Sequence, residues 1–274
     1  MRTLLVTLAL VLVSSIVAAC TIDPVVDKPT SRPAGEATFD HQHVGWSAVL
    51  KKHVKGDRFD YAALKKDPVA LDKYLVKLGA VTAKELKGWN EDERMAFWIN
   101  AYNANVVKLV ADNYPLESIR DIGSVFSKVW NKEFIRMKAL HPSGKEKKLS
   151  LDDIEHKILR PRFKDARVHA AVNCASDSCP ALRAEAFVAK RLDAQLDEQV
   201  RAWLADESRN KFDVAGSKLQ ISSLFDWFED DFVRDGKSVS GWIAKYARKD
   251  VAAAITAGKK FKISYLDYSW KLNE

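Results

Sequence analysis

The stretch EDERMAFWINAYNANVVKLVADN, residues 91–113, decides the fold. Met95, Ile99, Tyr102, Val106 and Leu109 recur at steps of three or four, which places them on one face of an α-helix. Pro115, with its fixed φ and no amide hydrogen, stops the run. This is the strongest helical signal in the chain, and it contains an anomaly. Asn100, Asn103 and Asn105 stand inside it, each disfavoured relative to Ala by some tenths of a kcal/mol, up to about 0.7, because the short amide competes for backbone groups. Asn100 and Asn103 share a face, with Phe97 and Tyr102 nearby. Two readings follow: a buried polar network satisfying the backbone of adjacent strands, or amides that line a pocket and hydrogen-bond a substrate.

On the N-terminal side, Phe39 to about Ala80 reads as helical pieces, with Trp46, Val49, Leu50 and His53, then Leu71, Tyr74, Leu75 and Leu78, at helical spacing. On the C-terminal side, residues 132–140 alternate, Phe134, Arg136 and Lys138 against Ile135 and Met137. With the His141-Pro142-Ser143-Gly144 turn and the run through Lys148-Leu149, this predicts a β-hairpin. Ser150-Leu151-Asp152-Asp153 is a capping-box start for a helix through Leu159, with Asp where Glu is commoner. Arg167–Val172 reads as a short buried strand and Phe187–Leu204 as a long amphipathic helix. Lys211–Ile221 is expected to form a hairpin around Ala215-Gly216-Ser217. Leu224–Val233 and Val239–Ala247 read as helices, the first ending near Gly236, and Phe261–Leu266 as a last strand. Helices precede hairpins without βαβ alternation, so the expected fold is α+β: a single domain over 38–274, with a mainly antiparallel sheet and several packed helices.

The composition agrees. In 274 residues, 47% hydrophobic and 30% charged, there is neither the polarity of a disordered chain nor the apolar runs of a polytopic membrane protein. Eight Trp, 12 Phe and 7 Tyr are enough to fill a core. The formal charge of +7 is interspersed rather than blocked, which fits attraction to anionic surfaces and does not indicate a nucleic-acid partner.

The first residues are a separate matter. Met1-Arg2-Thr3 precedes an apolar run from Leu4 to Ala19, too short for a stable membrane span and shaped as a secretory signal. The run closes on Ile16-Val17-Ala18-Ala19-Cys20, which resembles the lipobox of bacterial lipoproteins. That resemblance implies cleavage before Cys20, diacylation of its sulfur with palmitate-type chains and acylation of the new amine. At about 0.8 kcal/mol per buried methylene, three chains anchor a protein firmly. Thr21 rather than Asp follows, so the usual inner-membrane retention signal is missing and the outer membrane, periplasmic face, is expected. Residues 21–37 carry three Pro and small polar residues without period, a tether. The chain thus divides into signal peptide 1–19, lipidated Cys and tether 20–37, and domain 38–274.

Chemistry concentrates in RVHAAVNCASDSCP, residues 167–180, where an apolar segment with one imidazole runs into a small polar loop with two thiols. A thiol beside an imidazole ionises to a nucleophile, so Cys174 or Cys179 with His169 as base is one reading. His169 and Cys174 converge only if the chain bends after Val172. Asn173 would orient the imidazole or supply an amide donor, and Glu155 or Asp153 just upstream would hold its tautomer. A second reading makes Cys174–Cys179 a disulfide, natural in an oxidising compartment once Cys20 is lipidated. A third is a metal site of His156, His169, Cys174 and Cys179, which lacks the compact spacing of strong zinc motifs; a fourth is two inert thiols. His41 and His43 read as solvated, and Leu224-Phe225-Asp226-Trp227-Phe228 as core. The Gly residues form no phosphate-binding fingerprint, and there is no GxSxG nucleophile elbow.

AFWINAYNANVVKLV (96–110), LSLDDIEHKILR (149–160), VHAAVNCASDSCPALR (168–183), LDAQLDEQV (192–200) and YLDYSWKLNE (265–274) together resemble the family known as domain of unknown function 547. The resemblance covers most of the chain after the tether and implies a compact α+β domain, on bacterial members often behind a secretion or lipoprotein signal. No assigned activity comes with it. A more distant resemblance is to papain-like and transglutaminase-like folds, in which a Cys-bearing helix packs on a sheet carrying the His. This chain departs from that plan, because its strongest helix bears Asn100 and Asn103 and no cysteine.

The leading expectation is a cell-envelope lipoprotein with a Cys/His hydrolase or acyl-transfer site acting on a peptide or amide, without a cofactor. Cys174 is the nucleophile, His169 the base, Glu155 or Asn173 its orienting partner, and Asn100 with Asn103 part of the pocket. Cys179 is the alternative nucleophile, if Pro180 begins a helical turn. The alternative function is a non-catalytic periplasmic binding or assembly module with a Cys174–Cys179 disulfide.

Overall fold

The computed structural model describes residues 38–123, 128–139 and 147–274. The signal peptide, Cys20, the tether and the His141–Gly144 turn lie outside the described residues.

Helix α1 (Val44–His53) leads into a two-stranded ribbon, β1 (Val54–Lys55) and β2 (Arg58–Phe59), and then α2 (Tyr61–Lys66), α3 (Val69–Ala80) and α4 (Ala83–Gly88). Helix α5 (Glu91–Asn113) follows. The Asn90 carboxamide accepts from the Glu93 amide at 2.9 Å while the Glu93 carboxylate accepts from the Asn90 amide at 2.9 Å. This box and three acids in the first turn fix the start against the positive helix end. From Met95 to Ala111 the helix is buried on nearly every face, as expected for the central rod of a core. It packs on α2 and α3, and the buried Trp46, Leu71, Tyr74 and Leu78 join it from the flanking helices. His43 is a correction to the expected solvation. It is buried, with Nδ1 2.7 Å from the Tyr74 hydroxyl, and burial pushes its pKa down to about 4.

The predicted hairpin forms: β3 (Ile135–Met137) pairs antiparallel with β4 (Lys147–Leu149), Ile135 facing Leu149, with Ile135 and Met137 buried and Arg136 exposed. Ser150 then opens a helix as read, its hydroxyl accepting from the Asp153 amide at 3.0 Å and Asp153 accepting from the Ser150 amide at 2.9 Å. The helix is not regular. Asp153–Leu159 is a π-helix, widened by one residue per turn, and it continues into α6 (Arg160–Phe163).

Arg167–Val172, expected as a strand, contains instead the one-turn helix α7 (Val168–Ala171). Asp165 accepts from the Arg167 amide at 2.9 Å and Asp235 from the Ala166 amide at 2.7 Å, which starts the turn. Phe187 and Val188, expected inside a long helix, stay outside it, because side chains hold their backbone; α8 begins at Leu192 and runs to Ala205.

The last part of the chain is β5 (Lys211–Asp213), β6 (Lys218–Ser222), α9 (Leu224–Trp227), α10 (Glu229–Gly236), α11 (Val239–Ala244), α12 (Lys249–Thr256) and β7 (Lys262–Leu266). Strands β5 and β6 form the expected antiparallel hairpin, and β7 returns parallel to β6 with Leu219 facing Ile263. Three of the four strand pairings among the described residues are antiparallel, within an α+β domain. No helix among the described residues bears a cysteine, since Cys174 and Cys179 lie in the loop after α7. Among the described residues no helix is long and apolar enough to cross a membrane.

Two hydrophobic clusters result. The larger surrounds α5; the smaller holds Trp203, Phe225, Phe232 and Trp242. Helix α7 joins them, with Val168 and Ala171 in the first and Ala170 in the second, so its imidazole lies at the seam.

Candidate functional site

The loop that leaves α7 is held by amides. The Asn103 carboxamide donates to the Ala171 carbonyl at 2.9 Å and accepts from the Asn173 amide at 2.9 Å, bracketing Val172 as a neighbouring strand would. Asn100 does the same at Phe187, donating to its carbonyl at 2.7 Å and accepting from its amide at 3.1 Å. Both amides are buried and neither lines the cavity described below, so the expected substrate contact is replaced by a clamp on the backbone. Asn173 turns the loop itself, accepting from the Ala175 amide at 2.8 Å and donating to the Pro180 carbonyl at 2.8 Å. It does not reach the imidazole. Ala175 is held at φ +62°, a left-handed conformation that costs an L-residue about 1–2 kcal/mol. The C-terminal segment fixes the loop from outside, through Asp177 amide to Lys271 carbonyl at 2.7 Å and Ser269 amide to Ser178 hydroxyl at 2.8 Å.

Within this frame the two thiols meet. Cys174 and Cys179 are free cysteines with Sγ atoms 2.6 Å apart, and the Cys174 amide donates to Cys179 Sγ at 3.1 Å. The Tyr268 hydroxyl is 3.2 Å from Cys179 Sγ and 3.4 Å from Cys174 Sγ, and it accepts from the Ser176 hydroxyl at 2.8 Å. Since Ser176 supplies a proton to the phenol oxygen, the phenol's own proton points to a sulfur. Burial pushes the Cys179 thiol up, but hydrogen bonds from Cys174 and from Tyr268, itself the acceptor of Ser176, outweigh it and bring Cys179 below the ordinary thiol value. Cys174, hydrogen-bonded to Cys179 and half-buried beside its charge, is pushed well up. The pair therefore loses its first proton from Cys179, while Cys174 keeps its own.

His169 has a different partner from the one expected. Its Nε2 lies 2.8 Å from Asp231 Oδ2, and its ring stacks on Phe228 with centroids 4.1 Å apart. Asp231 also accepts from Arg160 Nε at 2.6 Å and from Arg234 at 2.8 Å. Burial raises the Asp231 carboxyl, but the bonds from His169 and Arg160 prevail and hold it far below the usual carboxylate range. An ionised carboxylate only accepts, so Nε2 carries the hydrogen. Burial lowers the His169 pKa despite Asp231, which leaves a neutral ring whose Nδ1 is a bare lone pair. No hydrogen bond joins His169 to either thiol, although all three line one cavity of about 730 Å³.

The other expected partners are elsewhere. Glu155 is buried on the π-helix, where burial raises its pKa and the Tyr102 hydroxyl bonds its carboxyl. Asp153 holds Ser150 and Lys157, the latter at 2.6 Å. His156 lies 2.8 Å from Arg160. Among the described residues no group of three or more His, Cys, Asp or Glu is placed to hold a metal ion, so the His156/His169/Cys174/Cys179 cluster is not assembled. The wide π turn brings Asp152, Glu155 and His156 together to the cavity wall. Leu224 and Phe225 are core as read, but Trp227 and Phe228 line the cavity, Trp227 at 46% exposure. Sequence reading missed Asp231 and Tyr268. The first stands in an acidic run, Glu229-Asp230-Asp231, of which only Asp231 is buried, and the second follows the last strand.

An α+β domain with paired thiols and a carboxylate-held imidazole around one aromatic cavity defines the class. Residues 86–204 match the model of the DUF547 family, described as a protein of unknown function. The match contains Asn100, Asn103, Glu155, His169 and both thiols, whereas Asp231 and Tyr268 lie beyond it. No curated protein and no solved structure matches the chain.

Proposed function

We propose that the domain is a thiol enzyme of hydrolase or acyl-transfer type, acting on a peptide or amide with Cys179 as nucleophile. The observation that carries this reading is the convergence of Cys174 and Tyr268 on Cys179, with Ser176 donating to Tyr268, at the wall of a large cavity, which favours its thiolate. The Cys179 thiolate adds to the carbonyl carbon, the carbon–nitrogen bond breaks, and the leaving amine takes its proton from the Cys174 thiol, which water reprotonates. Water then attacks the thioester carbon, giving a proton to His169 Nδ1 while Asp231 steadies the imidazolium; the carbon–sulfur bond breaks to release the acid and restore the Cys179 thiolate, and the imidazolium proton passes to solvent. Cys174, the nucleophile read from the sequence, is in this scheme the proton donor. The cell envelope is the proposed location, anchored at Cys20 on the periplasmic face of the outer membrane, on the strength of the Leu4–Ala19 run and the small residues before Cys20.

The direct sulfur–sulfur contact favours a second reading, a binding or assembly module with Cys174 and Cys179 joined as a disulfide. Differential alkylation and peptide mass spectrometry of protein taken from an oxidising periplasm separate the two. The enzyme reading expects free thiols, with a half-maximal alkylation pH below the ordinary thiol value of about 8.5 that rises in Tyr268→Phe. A mutual disulfide that resists mild reductant overturns it in favour of the module. Fatty-acid labelling that is equal in wild type and Cys20→Ala would remove the lipid anchor.

A further inference from the structure

One wall of the cavity is made of aromatic rings supplied by distant parts of the chain. Trp130 comes from the short turn Val129–Asn131, Trp227 from α9, and Tyr268 and Trp270 from the segment after β7. Trp227 and Trp270 are nearly parallel, 11° apart with centroids separated by 6.0 Å, and Trp130 meets Trp270 edge-on at 5.2 Å. At 46% exposure, Trp227 leaves about half of a large apolar ring in water although the core cluster beside it is well filled. Such a face is poorly hydrated and gains most when another flat face covers it.

The same wall carries charge. The Arg120 guanidinium lies over the Trp270 ring at 5.4 Å, and Lys128 lines the same mouth. Arg160, Arg167, Arg183, Arg209 and Arg234 each pair with a carboxylate, whereas among the described residues neither Arg120 nor Lys128 has an ion-pair partner. The acids on the cavity have other partners: the Glu155 carboxyl is bonded by the Tyr102 hydroxyl, and Asp152 faces His156 at 3.7 Å. Tyr268 connects this wall to the reactive groups. Its ring is 4.7 Å from both Trp227 and Trp270, and its hydroxyl touches both sulfurs.

We propose that the cavity takes a ring-bearing carboxylate, its flat face on Trp227 and Trp270, its anionic group on Arg120 and Lys128, and its scissile bond extending along Tyr268 to the thiols. This rests on the reading of the cavity as the functional site and adds the substrate class. The flat face belongs either to an aromatic ring or to the C–H face of an acidic pyranose, and the test separates the two.

Isothermal titration uses tetragalacturonate against its fully methyl-esterified form, and N-acetylphenylalanine against its amide. One of the two anions is expected to bind at least about tenfold more tightly than its neutral counterpart, the value of one charge-assisted contact. That preference is expected to vanish in Arg120→Gln, and binding itself to be lost in Trp227→Ala, whose exposed site leaves folding intact. Which anion binds identifies the ring. Equal binding of the neutral forms, or binding unchanged in Trp227→Ala, overturns the proposal, as does the failure of both anions to bind. The same titration in Cys174→Ala/Cys179→Ala is expected to match wild type. Binding that survives while the alkylation test fails therefore removes the thiol mechanism and leaves the ligand class standing; the reverse removes only the ligand class.

Discussion

Helix α5 and the loop after α7 both bury polar side chains, and they use them in opposite ways. On α5, each of Asn100 and Asn103 donates to one backbone carbonyl and accepts from one backbone amide, so its hydrogen bonds hold chain to chain. In the loop, Cys174, Cys179, Ser176 and Tyr268 bond mainly to one another, beside a cavity, with protonation displaced from the ordinary. Burial is common to both. What separates scaffold from chemistry is where the hydrogen bonds end: on the backbone, whose groups never titrate, or on side chains that exchange protons.

The sharpest way to break this comparison is at Asn103. Asn103→Leu leaves the Ala171 carbonyl and the Asn173 amide unpaired in the interior, each at a cost of about 1–3 kcal/mol, so a loss of about 4 kcal/mol is expected from urea unfolding. Near-wild-type stability combined with lost ligand binding would return this amide to the pocket.

A smaller loss, about 3 kcal/mol, is expected for Asp231→Asn, which uncouples His169, Arg160 and Arg234. Because the folded carboxyl has a depressed pKa, the wild type holds this contribution above about pH 4 and loses it as the pH falls further, toward the folded value. Acid titration of the folding midpoint should show that limb in wild type and not in the variant. An unchanged limb would place the acid sensitivity elsewhere.

The smallest effect belongs to a group remote from the cavity. His43 titrates near 4 when folded and near 6.5 when unfolded, so the unfolded chain takes the proton first and stability rises with pH between those values. Lowering the pH from 7 to 5.5 should remove about 1 kcal/mol through this site, and the loss should shrink in His43→Gln. His169, also lowered by burial, adds in the same direction. An equal slope in the variant would assign the whole effect to His169 and His53, both lowered by burial.

The long helix, both hairpins and the last strand were legible because their side chains repeat with a period that the backbone obeys. Helix α7 was not. A short apolar run buried on every side has no period, and its conformation is set by Asn103, Asp165 and Asp235, two of them far along the chain. The site divided in the same way. His169 and the two thiols were visible because they are neighbours in sequence. Asp231 and Tyr268 were hidden because acidic runs usually face solvent, and because nothing local says that the C-terminal segment folds back over residue 176. Trp227 reads as core from its neighbours, Leu224 and Phe225, which are core; only its own exposure distinguishes it.

The π-helix over Asp153–Leu159 has a consequence for how this domain diverges. An i→i+5 segment contains one residue more than the α-helix it interrupts. Removing a single codon there restores ordinary winding and rotates Glu155 and His156 relative to the helix that follows, while α5 and its amide clamps are untouched. The acidic side of the cavity can thus be gained or discarded in one genetic step inside an unchanged fold. Relatives that share the clamps but differ by one residue in this segment would then share an architecture without sharing a reaction.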